Sequence, residues 1–136
     1  MSARIKNILA VIVGIVVGGV VNMSLIMMSS KIIPPPVGAD FTTEAGLKAS
    51  MHLMEPKHFI IPFFAHALHA FIGSMIACKM AANNQMRIAL IIGLITFLGG
   101  AQMVFSLPSP MWFNVLDLGV AYFPMAFLGA KLVMKK

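Results

Sequence analysis

Acidic residues are scarce in this chain: four Asp and Glu stand against ten Lys and Arg in 136 residues. Charged side chains of both signs together reach 10%, where soluble domains carry about 25%. That density cannot cover a water-facing surface, which excludes a soluble globular domain. A single cysteine, Cys78, rules out an intrachain disulfide and reads as a small packing residue. Nucleotide-binding, cofactor-binding and catalytic motifs are missing too, so no cofactor is expected and the residues point away from an enzyme. Nor does the net charge of +6 form a nucleic-acid footprint, because the basic residues sit singly at the ends of apolar runs.

What the chain has instead is apolar length. Hydrophobic residues make up 60% and the mean hydropathy is +0.94. A helix that crosses a bilayer needs about 20 mostly apolar residues, since its backbone must satisfy itself where water is absent. Four segments meet that requirement, at about 5–29, 58–80, 87–107 and 111–133. Arg4 and Lys6 before the first run resemble a signal peptide, but no small-residue cleavage site follows Met28, so a retained span is expected. The reading is an all-α membrane protein, a single four-helix transmembrane domain over 1–136.

Prolines and charges organise the connections. Pro34-Pro35-Pro36 opens a loop of about 30–57, Ala81 to Met86 forms a short polar link, and Pro108-Ser109-Pro110 breaks the third from the fourth span. Arg4, Lys6, Lys79, Arg87, Lys131, Lys135 and Lys136 fall on one side of the membrane; Lys31, Lys48 and Lys57 fall on the other with Asp40, Glu44 and Glu55. Positive charge marks the cytoplasmic face, so both termini are expected there. Trp112 fits the interfacial preference of indole at the outer start of span four. In the long outer loop, Asp40 is expected to cap a short helix from Phe41 to about Met54. Its weak apolar stripe of Phe41, Ala45, Met51 and Met54 suits the membrane surface. Pro62 and Pro124 are expected to bend spans two and four.

Residues 70–80 read AFIGSMIACKM and residues 126–136 read AFLGAKLVMKK, while Gly18-Gly19 precedes Asn22-Met23 as Gly99-Gly100 precedes Gln102-Met103. These echoes suggest two duplicated parallel hairpins related by an axis along the membrane normal.

The most informative pattern is a layer of polar side chains within the spans. Counted inward from the outer helix ends, Asn22, Gln102 and Asp117 lie about 7–11 Å deep, His66 about 12 Å and His69 about 17 Å. Ionisable and amide groups in hydrocarbon are costly and usually face protein or trapped water. The accompanying small residues assign the inward faces: Gly14, Gly18 and Asn22; His66, Ala70, Ser74 and Cys78, beside His69, Gly73 and Ala77; Gly99, Gln102 and Ser106; and Asn114, Asp117 and Ala121. Asp117 is the costliest residue to bury, and His66 is its natural partner, because an imidazole can donate to a carboxylate. Tyr122, five residues beyond Asp117, stands about 140° away on a regular helix and is left off that stripe.

Metal chemistry is a weaker reading. His66 and His69 share a helix face and Asp117 would supply a third ligand, without the spacing of a known zinc site. Met51, His52, Met54 and His58 offer soft ligands suited to Cu(I), although chance clustering among 13 methionines explains them better.

The segments Phe64-Ala65-His66-Ala67-Leu68, Leu98-Gly99-Gly100 and Trp112-Phe113-Asn114-Val115-Leu116-Asp117-Leu118 resemble a group of small, uncharacterised bacterial four-span proteins. That resemblance implies a bacterial inner-membrane location and no particular activity. Three functional classes stay open: a transport or proton-binding protein using Asp117, His66, Asn22, Gln102 and His69; a non-catalytic accessory or scaffold subunit; and an intramembrane metal-dependent enzyme. The expected partners are the lipid bilayer and either a second copy, docked through the Gly-rich face of span one, or another membrane protein.

Overall fold

Ser2 starts the first helix by accepting a hydrogen bond from the Ile5 amide at 3.3 Å, and α1 then runs Ala3–Ile32. Nothing within it breaks a helix, and it stops where the three prolines forbid continuation. The computed structural model describes residues 1–134, and among these every regular element is helical. The others are α2 (Glu44–Ser50), α3 (Ile60–Met80), α4 (Gln85–Ser106), α5 (Met111–Leu116) and α6 (Phe123–Val133). Short 3₁₀ turns at Met51–Leu53 and Pro56–Phe59 lead into α3, and a π turn at Asp117–Ala121 joins α5 to α6.

Four continuous helical stretches, Ala3–Ile32, Pro56–Met80, Gln85–Ser106 and Met111–Val133, are long and apolar enough to cross a membrane. They match the four runs read from sequence to within about three residues at each end. Of the seven basic residues gathered on one side, Lys135 and Lys136 lie outside the described residues.

The helices are not equivalent. α3 is central: α1 packs along one flank, α4 and α6 along the other, and α1 meets α4 over only a short stretch. The α1–α3 contact depends on glycine. A Cβ at Gly14 would collide with the Gly73 carbonyl and Ala77, and one at Gly18 with the ring and carbonyl of His69. Small residues permit this approach, and dispersion over the long contact then holds the pair together. The Gly-rich face of α1 is thus occupied by α3 within the same chain. Gly14 and Gly18, on the face that the sequence offered to a second copy, are buried against α3.

α4 corrects another face. Its inward side consists of Ile88, Ala89, Ile92, Gly93, Thr96 and Gly100, all buried. A Cβ at Gly99 would meet nothing within 4 Å, and Gln102 is exposed. Of the adjacent glycines it is Gly100 that must be small, because the Tyr122 ring occupies the space a side chain there would need.

At the short-link end, Asn84 takes a left-handed conformation (φ 52°), and the turn is tied by Gln85 Nε2 donating to the Cys78 carbonyl at 2.8 Å. Cys78 itself is fully buried, in line with a packing role. At the opposite end the long loop folds back on the bundle. Thr43, rather than Asp40, caps its helix, accepting from the Gly46 amide at 2.9 Å, and α2 ends at Ser50. Asp40 instead closes a local turn with Thr42. Met51 packs with Phe59 and Phe113, flanked by Leu47, Met54, Phe63 and Leu107. Met51 and Met54 of the apolar stripe thus pack on the bundle end, while Ala45 is exposed. His58 pins this arrangement: its Nδ1 accepts from the Glu55 amide at 2.9 Å and its Nε2 donates to the Pro34 carbonyl at 3.1 Å. With both ring nitrogens engaged and Met51 buried, the soft-ligand string is a packing feature.

Candidate functional site

Pro124 decides the local geometry of the site. Its ring has no amide hydrogen and crowds the carbonyl four residues back, so the regular ladder cannot pass through it. The chain responds with the π turn at Asp117–Ala121, and Tyr122 leaves it with φ −108° and ψ −80°. In a π turn the bonds close from i to i+5, so a residue five positions on returns to the same face. Tyr122 therefore stands beside Asp117, overturning the placement that a regular helix implies. Its hydroxyl donates to Asp117 Oδ2 at 2.8 Å.

From α3, His66 Nδ1 approaches the same carboxylate, 2.9 Å from Oδ1 and 3.0 Å from Oδ2. The imidazole lies nearly parallel to the phenol, with ring centroids 5.9 Å apart and planes inclined by 24°. Asp117 is held between a ring N–H and a phenol O–H, and only 5% of its side chain is exposed. His66 keeps 22% of its side chain exposed, and no hydrogen bond reaches its Nε2 among the described residues. Tyr122, the third member of the triad with His66 and Asp117, packs with Ala67 and Ala121, and Phe63, Phe97, Leu118 and Met125 surround them. Such apolar walls strengthen the electrostatic part of each hydrogen bond and raise the cost of leaving any group unpaired.

Asn22 on α1 and His69 on α3 stand outside this group. His69 points its Cδ2 edge at Gly18 and its Cε1 at Gly19, so Nε2 between them faces α1. Asn22 lies one turn beyond Gly18 on that helix. His69 Nε2 and Asn22 Oδ1 are both buried with no hydrogen-bond partner among the described residues. Gln102 is outside it too; it sits on the uncovered face of α4. The structure thus brings together His66 and Asp117, adds Tyr122, sets His69 and Asn22 apart, and leaves Gln102 outside.

Asn114, on the Asp117 stripe, serves the turn before it. Ser109 Oγ donates to Asn114 Oδ1 at 2.6 Å, which fastens the Pro108–Pro110 break. Among the described residues no three His, Cys, Asp or Glu side chains are grouped as metal ligands. His69 turns toward α1, so it does not join His66 and Asp117 in the ligand set that the metal reading required.

No family model matches this chain, and neither a curated protein nor a solved structure is similar to it. The site must be judged on its own chemistry.

Proposed function

We propose that the chain is a multi-pass inner-membrane protein, with both termini in the cytoplasm, that binds and passes protons or a small proton-carrying solute through His66, Asp117 and Tyr122. The distribution of basic residues supports the orientation. One observation carries the activity: a carboxylate 4% exposed is held by an imidazole and a phenol in a segment apolar enough to cross a bilayer. Ionisable groups so placed are expensive to retain and recur in proton relays and substrate sites. An imidazole–carboxylate pair is neutral overall with the proton bound and carries one negative charge once it is released, a charge that the Tyr122 hydroxyl and the His66 ring N–H both donate to. His66 Nε2 is the group left for an incoming partner.

The test uses the purified full chain in liposomes with an imposed pH gradient and a trapped pH-sensitive dye. Wild-type protein is expected to dissipate the gradient faster than empty vesicles, and Asp117→Asn to abolish the difference while keeping the helical circular dichroism spectrum. Equal rates for wild type, Asp117→Asn and empty vesicles would remove proton passage as the activity.

A second reading, a scaffold or accessory subunit, is favoured by how completely the Asp117 carboxylate is satisfied inside the chain. It expects no flux from any variant, a lower unfolding temperature for Asp117→Asn, and copurification of a membrane-protein partner.

A further inference from the structure

Away from the triad, at the end that holds the N-terminus and the Ala81–Asn84 link, α1 packs on α4 through Val11 and Ile15 against Ile88 and Ile92. α1 leans on α3 and leaves a cleft of about 630 Å³ between its first turns and α4. The cleft is graded from polar to apolar. At its mouth stand Arg4, Asn7 and Asn83; beneath them lie Ile8, Val11, Ile88 and Ile91. Arg4, Asn7, Ile8 and Val11 follow one another at helical spacing along a single stripe, which descends about 10 Å from Arg4 to Val11.

The mouth is built rather than frayed. Asn7 Nδ2 donates to Asn83 Oδ1 at 2.8 Å, and Asn7 Oδ1 accepts from the Ala82 amide at 2.9 Å. These two bonds tie α1 to the link and fix the width of the opening. Arg4 is exposed one turn above Asn7 and has no ion pair among the described residues. The four acidic side chains, Asp40, Glu44, Glu55 and Asp117, lie in the long loop and in the triad.

We infer that this cleft binds an anionic phospholipid, its phosphate at Arg4 and one acyl chain against Ile8, Val11, Ile88 and Ile91. Charge complementarity selects the headgroup, because a guanidinium offers a fork of donors to phosphate oxygens and no side chain here competes for it. The apolar floor selects a lipid over a free anion, since inorganic phosphate would leave the exposed Ile8 and Ile91 side chains uncovered. Basic pockets between transmembrane helices take anionic headgroups by the same physics. The inference rests on the membrane-spanning reading and is independent of proton chemistry at Asp117.

The experiment compares full-length protein in nanodiscs of mixed phosphatidylglycerol and phosphatidylcholine, extracted gently and analysed for retained lipid by native mass spectrometry. Wild type is expected to retain phosphatidylglycerol in preference to phosphatidylcholine, and Arg4→Gln to lose about fivefold of that preference, the scale of one interfacial basic residue. Val11→Trp, which fills the floor, should lower retention while leaving Arg4 in place. Lys48→Gln, a basic residue of the long loop, should change nothing. Equal retention of the two lipids by wild type overturns the proposal while leaving the membrane-spanning reading intact, since the protein has entered the nanodisc. An equal loss from Lys48→Gln, or full displacement by inorganic phosphate, overturns it as well.

Discussion

Two histidines three residues apart on α3 meet opposite fates. His66 donates to a carboxylate that a phenol also holds, so both oxygens of Asp117 are engaged. The Nε2 of His69 faces a glycine surface and finds no partner among the described residues, and neither does Oδ1 of Asn22 on the helix opposite. The difference comes from the backbones that carry them. α1 and α3 approach so closely through Gly14, Gly18 and Gly73 that side chains between them have little freedom to turn. The last span is widened by its π turn, which swings Tyr122 onto the carboxylate face. Close packing and polar satisfaction compete in an apolar bundle, and each half of this protein resolves the competition differently.

The largest way to break the comparison is to remove the acid. Asp117→Ala leaves a half-buried imidazole and a buried phenol without their shared acceptor, and breaking a buried pair costs up to about 3–5 kcal/mol. Unfolding in detergent micelles should show a loss of that order. The matching change on α1, Asn22→Leu, removes an oxygen that has no hydrogen-bond partner among the described residues. Replacing an unsatisfied polar group by an apolar one of similar shape is nearly neutral or stabilising, so stability should stay within about 1 kcal/mol of wild type or rise. If Asn22→Leu proved as damaging as Asp117→Ala, the two positions would not differ as the geometry says.

The adjacent glycines of α4 sharpen the same contrast. A methyl at Gly100 would overlap the Tyr122 phenol and displace it from Asp117. Gly100→Ala should therefore cost about 1–3 kcal/mol, the usual penalty for overpacking. Gly99 faces open space, and Gly99→Ala should be neutral or gain up to about 1 kcal/mol from helix propensity. Equal effects from the two substitutions, measured by thermal unfolding, would mean that Gly100 does not hold the phenol in place.

Much of this architecture is legible in the residues. Apolar run length locates the four long helices, proline clusters locate their breaks, and the cost of burying Asp117 points to His66. Small residues identify the packed faces of α1, α3 and the Asp117 stripe. What the residues conceal has two causes. Tyr122 is missed because a fixed 100° per residue is applied across Pro124, although a proline there forces the ladder open; the proline was the available signal. The face of α4 is misassigned because Gly99 and Gly100 are neighbours, and composition cannot tell which of them a tyrosine from another span will cover. Depth alone then places Gln102 beside Asp117, since a count of residues along a helix carries no information about its rotation. The loop helix is likewise shifted: Asp40 and Thr43 are both good caps, and Asp40 is drawn instead into its own turn with Thr42.

That loop turn supplies the smallest and most exact test, because it repeats the Asp117–Tyr122 bond in water. Thr42 Oγ1 donates to Asp40 Oδ1 at 2.6 Å, a shorter contact than the 2.8 Å from Tyr122 to Asp117. The Thr42 amide donates to the same oxygen at 2.9 Å. The side-chain bond first, and the backbone bond second, hold the Asp40 carboxyl below its ordinary value near 3.8. A carboxylate with a depressed folded-state value adds stability above its unfolded value, and that contribution disappears as pH falls through the folded value. The affected window therefore lies below about pH 4. Thr42→Val removes the stronger of the two bonds, so a carbon-detected titration should show Asp40 moving upward, toward but not reaching the ordinary value. Because Asp40 is exposed, the global unfolding temperature at neutral pH should barely move. Bond length would then have ranked the two carboxylates in the wrong order. What distinguishes Asp117 is the absence of water to replace a lost partner, so its longer bond is the one the fold depends on.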